Sequence, residues 1–79
     1  MTEQLHFNKV AIIGVGLIGG SIAMVMREKG IAGTIIGIGR GLANLKVAQR
    51  LGVVDSITQE IEEGVVDADL VVIAVPVMK

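Results

Sequence analysis

Four apolar runs of strand length alternate with stretches patterned for helices. The first is Lys9 to Ile13, K-V-A-I-I. The second is Thr34 to Ile38, T-I-I-G-I. A shorter third is Val53 to Ile57, and the last is Leu70 to Val75, L-V-V-I-A-V, which Pro76 ends. Between them, apolar residues recur at helical spacing. Leu17, Ile18, Ile22, Val25 and Met26 form a stripe within Leu17 to Lys29, and Met24 and Met26 read as core or gap-filling residues. Leu42, Leu45, Ala48 and Leu51 form a second stripe. Gly30 and Gly52 stand where helix C-caps are expected. A third, short helix is expected after Thr58 as its cap. Glu60, Glu62 and Glu63 suit the start of that helix dipole, so they need no catalytic role. Strands alternating with helices predict a parallel sheet. The unbroken apolar character of the first and last runs predicts interior strands covered on both faces.

The junction of the first strand and first helix carries the chemistry. Gly14, Gly16 and Gly19 stand in the order G-x-G-x-x-G, directly after a strand and opening a helix. A dinucleotide needs this arrangement. Gly14 allows the tight turn. Gly16 lets a pyrophosphate approach the backbone, and Gly19 lets the helix pack close to the strand. The free N–H groups of the helix start, near Leu17 to Gly20, would face the phosphates. The predicted fold is therefore α/β, a Rossmann-type open parallel sheet in the order βαβαβ(α)β. Its three layers are αβα, and it is cut after the strand at 70–75.

The end of the second strand bears on which dinucleotide is bound. An NAD site places an Asp or Glu there, about 20 residues on, for the ribose 2′-OH. Gly39 and Arg40 stand at that point, and no acid lies between Gly30 and Arg50. A guanidinium pairs with a 2′-phosphate through two parallel hydrogen bonds, whereas a carboxylate repels it. The sequence thus predicts NADP in preference to NAD, with NAD still able to bind through its diphosphate. Lys46 is a second candidate for the phosphate, and Arg50 reads as a solvated helix residue. Ser21 could reach phosphate or bond back to its helix. Val75 and Pro76 leave the same edge of the sheet and are expected along the nicotinamide ribose.

Composition narrows the remaining classes. The net charge is -1, which gives no case for nucleic acid. The charge is uneven: six of the seven basic residues lie in residues 1–50, the half with the phosphate turn. There is no Cys, so no disulfide can support the 79 residues, a length that suits half of an open dinucleotide fold. No signal pattern or membrane span is evident, and a cytoplasmic protein is the expectation. His6 precedes the first strand, at the end of the sheet away from the cofactor, and is not expected to be catalytic. Asp67 and Asp69 fall in the turn before the last strand, at that same end. At this level the residues leave open several NADP-linked enzymes, including β-hydroxyacid dehydrogenases and imino-acid reductases, and a nucleotide-binding regulatory module. A methyltransferase or flavin site fits less well, because both want an acid after the second strand.

Three longer strings go further. They are G-V-G-L-I-G-G-S-I-A from Gly14, L-G-V-V-D at Leu51 to Asp55, and D-A-D-L-V-V-I-A-V-P at Asp67 to Pro76. Together, at this spacing, they resemble the N-terminal nucleotide domain of the prephenate and arogenate dehydrogenases, over Lys9 to Val77. The resemblance implies a parent enzyme of tyrosine biosynthesis. It would oxidise and decarboxylate prephenate or arogenate with NAD or NADP, giving 4-hydroxyphenylpyruvate or tyrosine. In that family the glycines matched by Gly14, Gly16 and Gly19 hold the diphosphate, and the segment matched by Gly39 and Arg40 selects the cofactor. Many members carry Asp where Gly39 stands, a departure that argues against strict NAD use. The family's catalytic His and substrate-binding residues come after the last strand. They lie further along the nucleotide domain and in a helical domain that forms the homodimer. The expectation is a partial NAD(P)-binding domain over 1–79 with no catalytic residue, no metal, and no turnover alone.

Overall fold

The first apolar run becomes the centre of the sheet. The computed structural model describes residues 6–74, apart from the side chains of Leu17 and Ile18. Strand β1 (Phe7–Ile13) pairs in parallel with β2 (Ala32–Ile38) on one side and β4 (Leu70–Ile73) on the other; β3 (Ser56–Thr58) adds to the far edge of β2. The order is β3-β2-β1-β4. Helices α1 (Leu17–Glu28), α2 (Leu42–Arg50) and α3 (Ile61–Gly64) connect the strands. This is the predicted open parallel α/β sheet. No helix among the described residues is long and apolar enough to cross a membrane.

Strand period and register assign the two faces. Val10, Ile12, Ile35, Leu70 and Val72 share one face and pack with Ala23 of α1, Ala48 of α2 and Val54. Ala11, Ile13, Ile38, Val71 and Ile73 share the other. There α3 covers the β2–β3 side, with Gly64 seated against Ile38 and Thr58.

Several details differ from the pattern read along the chain. The third strand is Ser56–Thr58, later than Val53 to Ile57, because residues 52–54 are still closing α2. Gly52 N–H donates to the Gln49 carbonyl (3.1 Å) and Val53 N–H to the Ala48 carbonyl (2.9 Å). These two bonds make a Schellman ending. Val54 sinks into the core, so pairing starts only at Ser56. The α2 stripe is narrower than expected. Leu45 and Ala48 are buried, but Leu42 and Leu51 are exposed, the latter by 72%. On α1 Ala23 is fully buried, because a small side chain lets the helix lie close to the sheet, while Met24 and Val25 face outward. Thr58 is not the N-cap of α3, which is Glu60. Its hydroxyl instead accepts the Glu60 N–H and donates to Glu63 Oε1, each at 3.1 Å. Among the described residues β4 is an edge strand rather than an interior one. Val71 is 41% and Ile73 69% exposed.

Asp55 holds the start of the β2–β3 pairing. Its carboxylate accepts the Ile35 N–H (2.8 Å) while its own N–H donates to the Ile35 carbonyl (2.8 Å). Arg27 Nη2 of α1 donates to the same carboxylate oxygen at 2.9 Å. Partial desolvation raises the Asp55 carboxyl pKa, but the Ile35 N–H and the Arg27 guanidinium together outweigh it and hold the group below its ordinary value. The exposed ion pair adds little by itself; the backbone N–H left without a partner is the larger loss, about 1 kcal/mol. Asp55→Ala is therefore expected to lower stability at pH 7 by roughly 1–2 kcal/mol, read from urea unfolding midpoints. A carboxyl with a lowered folded pKa stabilises above its unfolded pKa and loses that contribution as pH falls through the folded value. The gap between wild type and variant should accordingly narrow below about pH 4.

Candidate dinucleotide-binding site

Two turns at the C-terminal edge of the sheet form the site. The first leaves β1. Gly14 adopts φ 90°, a left-handed conformation that favours glycine. Its N–H donates to the Ile38 carbonyl at 2.7 Å, which ties this turn to the end of β2. Gly16 is the N-cap of α1 and has no side chain to cap it; the helix begins with Gly20 N–H on the Gly16 carbonyl (2.8 Å), so the Gly20 N–H, expected to be free, is taken by the first helical bond. A Cβ on Gly16 would meet nothing within 4 Å, so its outer side is open. Gly19 is the opposite case. A Cβ there would collide with the Gly14 carbonyl and lie 3.3 Å from Ile12 Cγ2.

The second turn leaves β2. Gly39 N–H donates to the Thr58 carbonyl at 3.3 Å, and Gly41 is the N-cap of α2, again without a side-chain cap. Arg40 between them is exposed and forms no ion pair among the described residues. Asn44 folds back over the turn, its Nδ2 3.4 Å from the place of a Cβ on Gly41. Neither α1 nor α2 has an acidic residue in its first turn. The two helix starts therefore offer N–H groups and positive dipole ends with no competing carboxylate.

A cavity of about 220 Å³ lies between the turns. Gly14, Val15 and Gly16 line it from the first, Gly39, Arg40, Gly41 and Asn44 from the second, and Ala74 closes it beyond β4. The structure thus brings Gly14, Gly16, Gly39 and Arg40 to one place. Gly19 sits behind the turn as the close-packing contact. Leu17 and Ile18 begin α1, with their side chains outside the description, and Val75 and Pro76 lie outside the described residues. Lys46 and Arg50 are exposed on α2 and do not line the cavity. Ser21 lies a full turn into α1 and lines a separate apolar groove with Val25 and Ile31. His6 is at the far end of the sheet, where its Nδ1 hydrogen-bonds the Gly30 carbonyl at 3.1 Å. Asp69 is there too and accepts the Lys9 N–H at 3.0 Å. Among the described residues no His, Cys, Asp or Glu are grouped to hold a metal. Sequence reasoning assigned no role to Gly41 or Asn44. Their signal was position: an uncapped N-cap and the third helical residue directly after Arg40.

Residues 22–79 match the family model described as the prephenate dehydrogenase nucleotide-binding domain. The chain belongs to this family. The matched span contains the second turn and the last strand and begins just after the glycine-rich turn. The prephenate dehydrogenase of Lactococcus lactis subsp. cremoris (strain MG1363) is 38% identical over 69 residues, covering 87% of this chain and 19% of that protein. The prephenate dehydrogenase of Bacillus subtilis (strain 168) is 38% identical over 68 residues, covering 86% of this chain and 18% of that protein. The chain therefore spans about a fifth of the length of these relatives. Among solved structures, the prephenate dehydrogenase from A. aeolicus in complex with hydroxyphenyl propionate and NAD+ superposes with a TM-score of 0.81. It is 31% identical, over 94% of this chain and 26% of that one. GenD2 from gentamicin A biosynthesis, in complex with NAD, gives 0.75 at 24% identity over 95% of this chain and 22% of that one, a likeness of fold.

The two glycines of the first turn should separate under substitution. Gly19→Ala forces the helix start off the Gly14 carbonyl and is expected to cost about 1–3 kcal/mol, despite the better helix propensity of Ala. Gly16→Ala adds a methyl to open space and should change stability by less than about 1 kcal/mol. Thermal unfolding of both variants checks the contrast.

Proposed function

We propose that this chain is the cofactor-binding part of a dehydrogenase that oxidatively decarboxylates prephenate or arogenate and prefers NADP to NAD. The observation that carries the preference is the shared cavity. The glycine-rich turn opens onto Arg40, and among the described residues no carboxylate lines the space between them. The residues fit the cofactor's parts. Gly14, Gly16 and the start of α1 at Leu17 and Ile18 would hold the diphosphate, with Gly19 keeping that helix start in place. Gly39 leaves room for the adenine ribose, and Arg40 would pair with a 2′-phosphate, assisted by the uncapped start of α2. Val75 and Pro76 would follow along the nicotinamide ribose.

The dinucleotide supplies a hydride acceptor when bound. The substrate loses hydride from the ring carbon bearing the hydroxyl, and loss of CO2 makes the ring aromatic. The product is 4-hydroxyphenylpyruvate from prephenate, or tyrosine from arogenate. The work of these 79 residues in that reaction is to bind and orient the cofactor. Hydride transfer also needs the substrate held against the nicotinamide. In the relatives' greater length there is room for the groups that do so, for a helical dimerisation domain, and for the catalytic His that the family resemblance implies. We expect a cytoplasmic parent enzyme, and no turnover from this chain alone. A second reading, NAD as the working cofactor held through its diphosphate, is favoured by the NAD+ in the A. aeolicus relative.

Titration with NADP+ and NAD+ at matched ionic strength separates the two. Arg40→Ala is expected to weaken NADP+ binding by roughly tenfold or more, since charge-assisted hydrogen bonds contribute about 1.5–3 kcal/mol. NAD+ binding should change by less than about twofold. Equal losses for the two cofactors would remove Arg40 from its assigned role.

A further inference from the structure

The Gly39–Arg40–Gly41 turn is anchored from a neighbouring strand rather than by its own residues. Two glycines flank Arg40, and glycine gives the backbone the most freedom to lose on ordering. Arg40 itself is exposed and has no ion-pair partner among the described residues. Yet the turn is held at two points, one before Arg40 and one at its carbonyl. Gly39 N–H donates to the Thr58 carbonyl at 3.3 Å, and Gln59 Nε2 donates to the Arg40 carbonyl at 2.8 Å. Both anchors come from the C-terminal end of β3. That end is itself fixed, because Thr58 pairs with Ile38 and its hydroxyl binds Glu60 N–H and Glu63. Gln59 is exposed and follows the last strand residue, so its side-chain amide would otherwise be solvated.

We propose that Gln59 is a positioning residue for cofactor discrimination: by holding the Arg40 carbonyl, it presets the turn that presents the guanidinium to a 2′-phosphate. The inference rests on the assignment of Arg40 above. Its physical content is preorganisation. A turn already in its bound conformation loses less entropy when the phosphate arrives. NAD+, which has no 2′-phosphate, gains nothing from this presetting. The bond should therefore change the ratio of the two affinities rather than both alike.

Gln59→Met keeps the length and removes the donor. Relative to wild type, it is expected to weaken NADP+ binding about fivefold, the equivalent of one neutral hydrogen bond, and to leave NAD+ within about twofold. In the Arg40→Ala background the same substitution should have no further effect, because the two residues act as one unit. Loss of both affinities alike, an additive double variant, or an unchanged ratio would each overturn the proposal. Failure of the Arg40 assignment is distinguishable: Arg40→Ala would then leave the NADP+ to NAD+ ratio intact. A readout without ligand accompanies these. Amide hydrogen exchange over residues 39–45 should speed up severalfold in Gln59→Met while exchange in β1 stays unchanged. Unaltered exchange in that turn would also overturn it.

Discussion

The approach of α1 to the end of β1 governs the arrangement of the rest. Gly19 lies against the Gly14 carbonyl, so the helix begins on top of the strand it has just left. Any side chain at Gly19 would lift the helix start away. Gly14 N–H meanwhile bonds the Ile38 carbonyl, which fixes this turn to the end of the neighbouring strand. The two constraints act together. They put the open N-cap of α1 and the turn after β2 at one edge of the sheet, close enough to share a cavity. With no side-chain cap and no first-turn acid on either helix, that edge carries the electropositive ends of two dipoles.

The short strand β3 braces this arrangement at both ends. At its start, Asp55 stands in for a strand carbonyl and accepts the Ile35 N–H, while Arg27 ties the same carboxylate to α1. At its finish, the Thr58 carbonyl accepts from Gly39 N–H and the Gln59 side chain donates to the Arg40 carbonyl. Only three residues pair as a strand, so backbone pairing alone would hold β3 weakly. Side chains at its boundaries, together with Val54 in the core, make up the difference. The turn after β2 is in this sense supported by residues well downstream of it.

The faces of the sheet are unequal. One packs with α1 and α2 into a continuous apolar cluster. The other is covered by α3 only over β2 and β3, and β4 keeps Val71 and Ile73 exposed there. An apolar edge strand with unpaired backbone groups is a surface that folded proteins normally cover or blunt. This one belongs to a chain that spans about a fifth of its relatives' length.

Much of this was legible in the residues themselves. Apolar runs and helical stripes are local, and glycine's freedom at Gly14 and its lack of a side chain at Gly19 are properties of one residue type. The α/β order, the parallel sheet and the glycine-rich turn followed from them. The start of β3 did not, because the Schellman ending of α2 consumes residues 52–54 whose apolar character reads as strand. The edge position of β4 did not either, since an apolar run records the chance of burial on two faces and not which neighbours are there to provide it. The place of Arg40 after the second strand was visible, but what holds it was not. Gln59 lies nineteen residues away in sequence and meets Arg40 only because β3 pairs beside β2. Local chemistry determined which groups stand in the turns at the edge of the sheet. Long-range pairing decided which of them face one another, because a hydrogen bond between distant residues depends on register that no single segment contains.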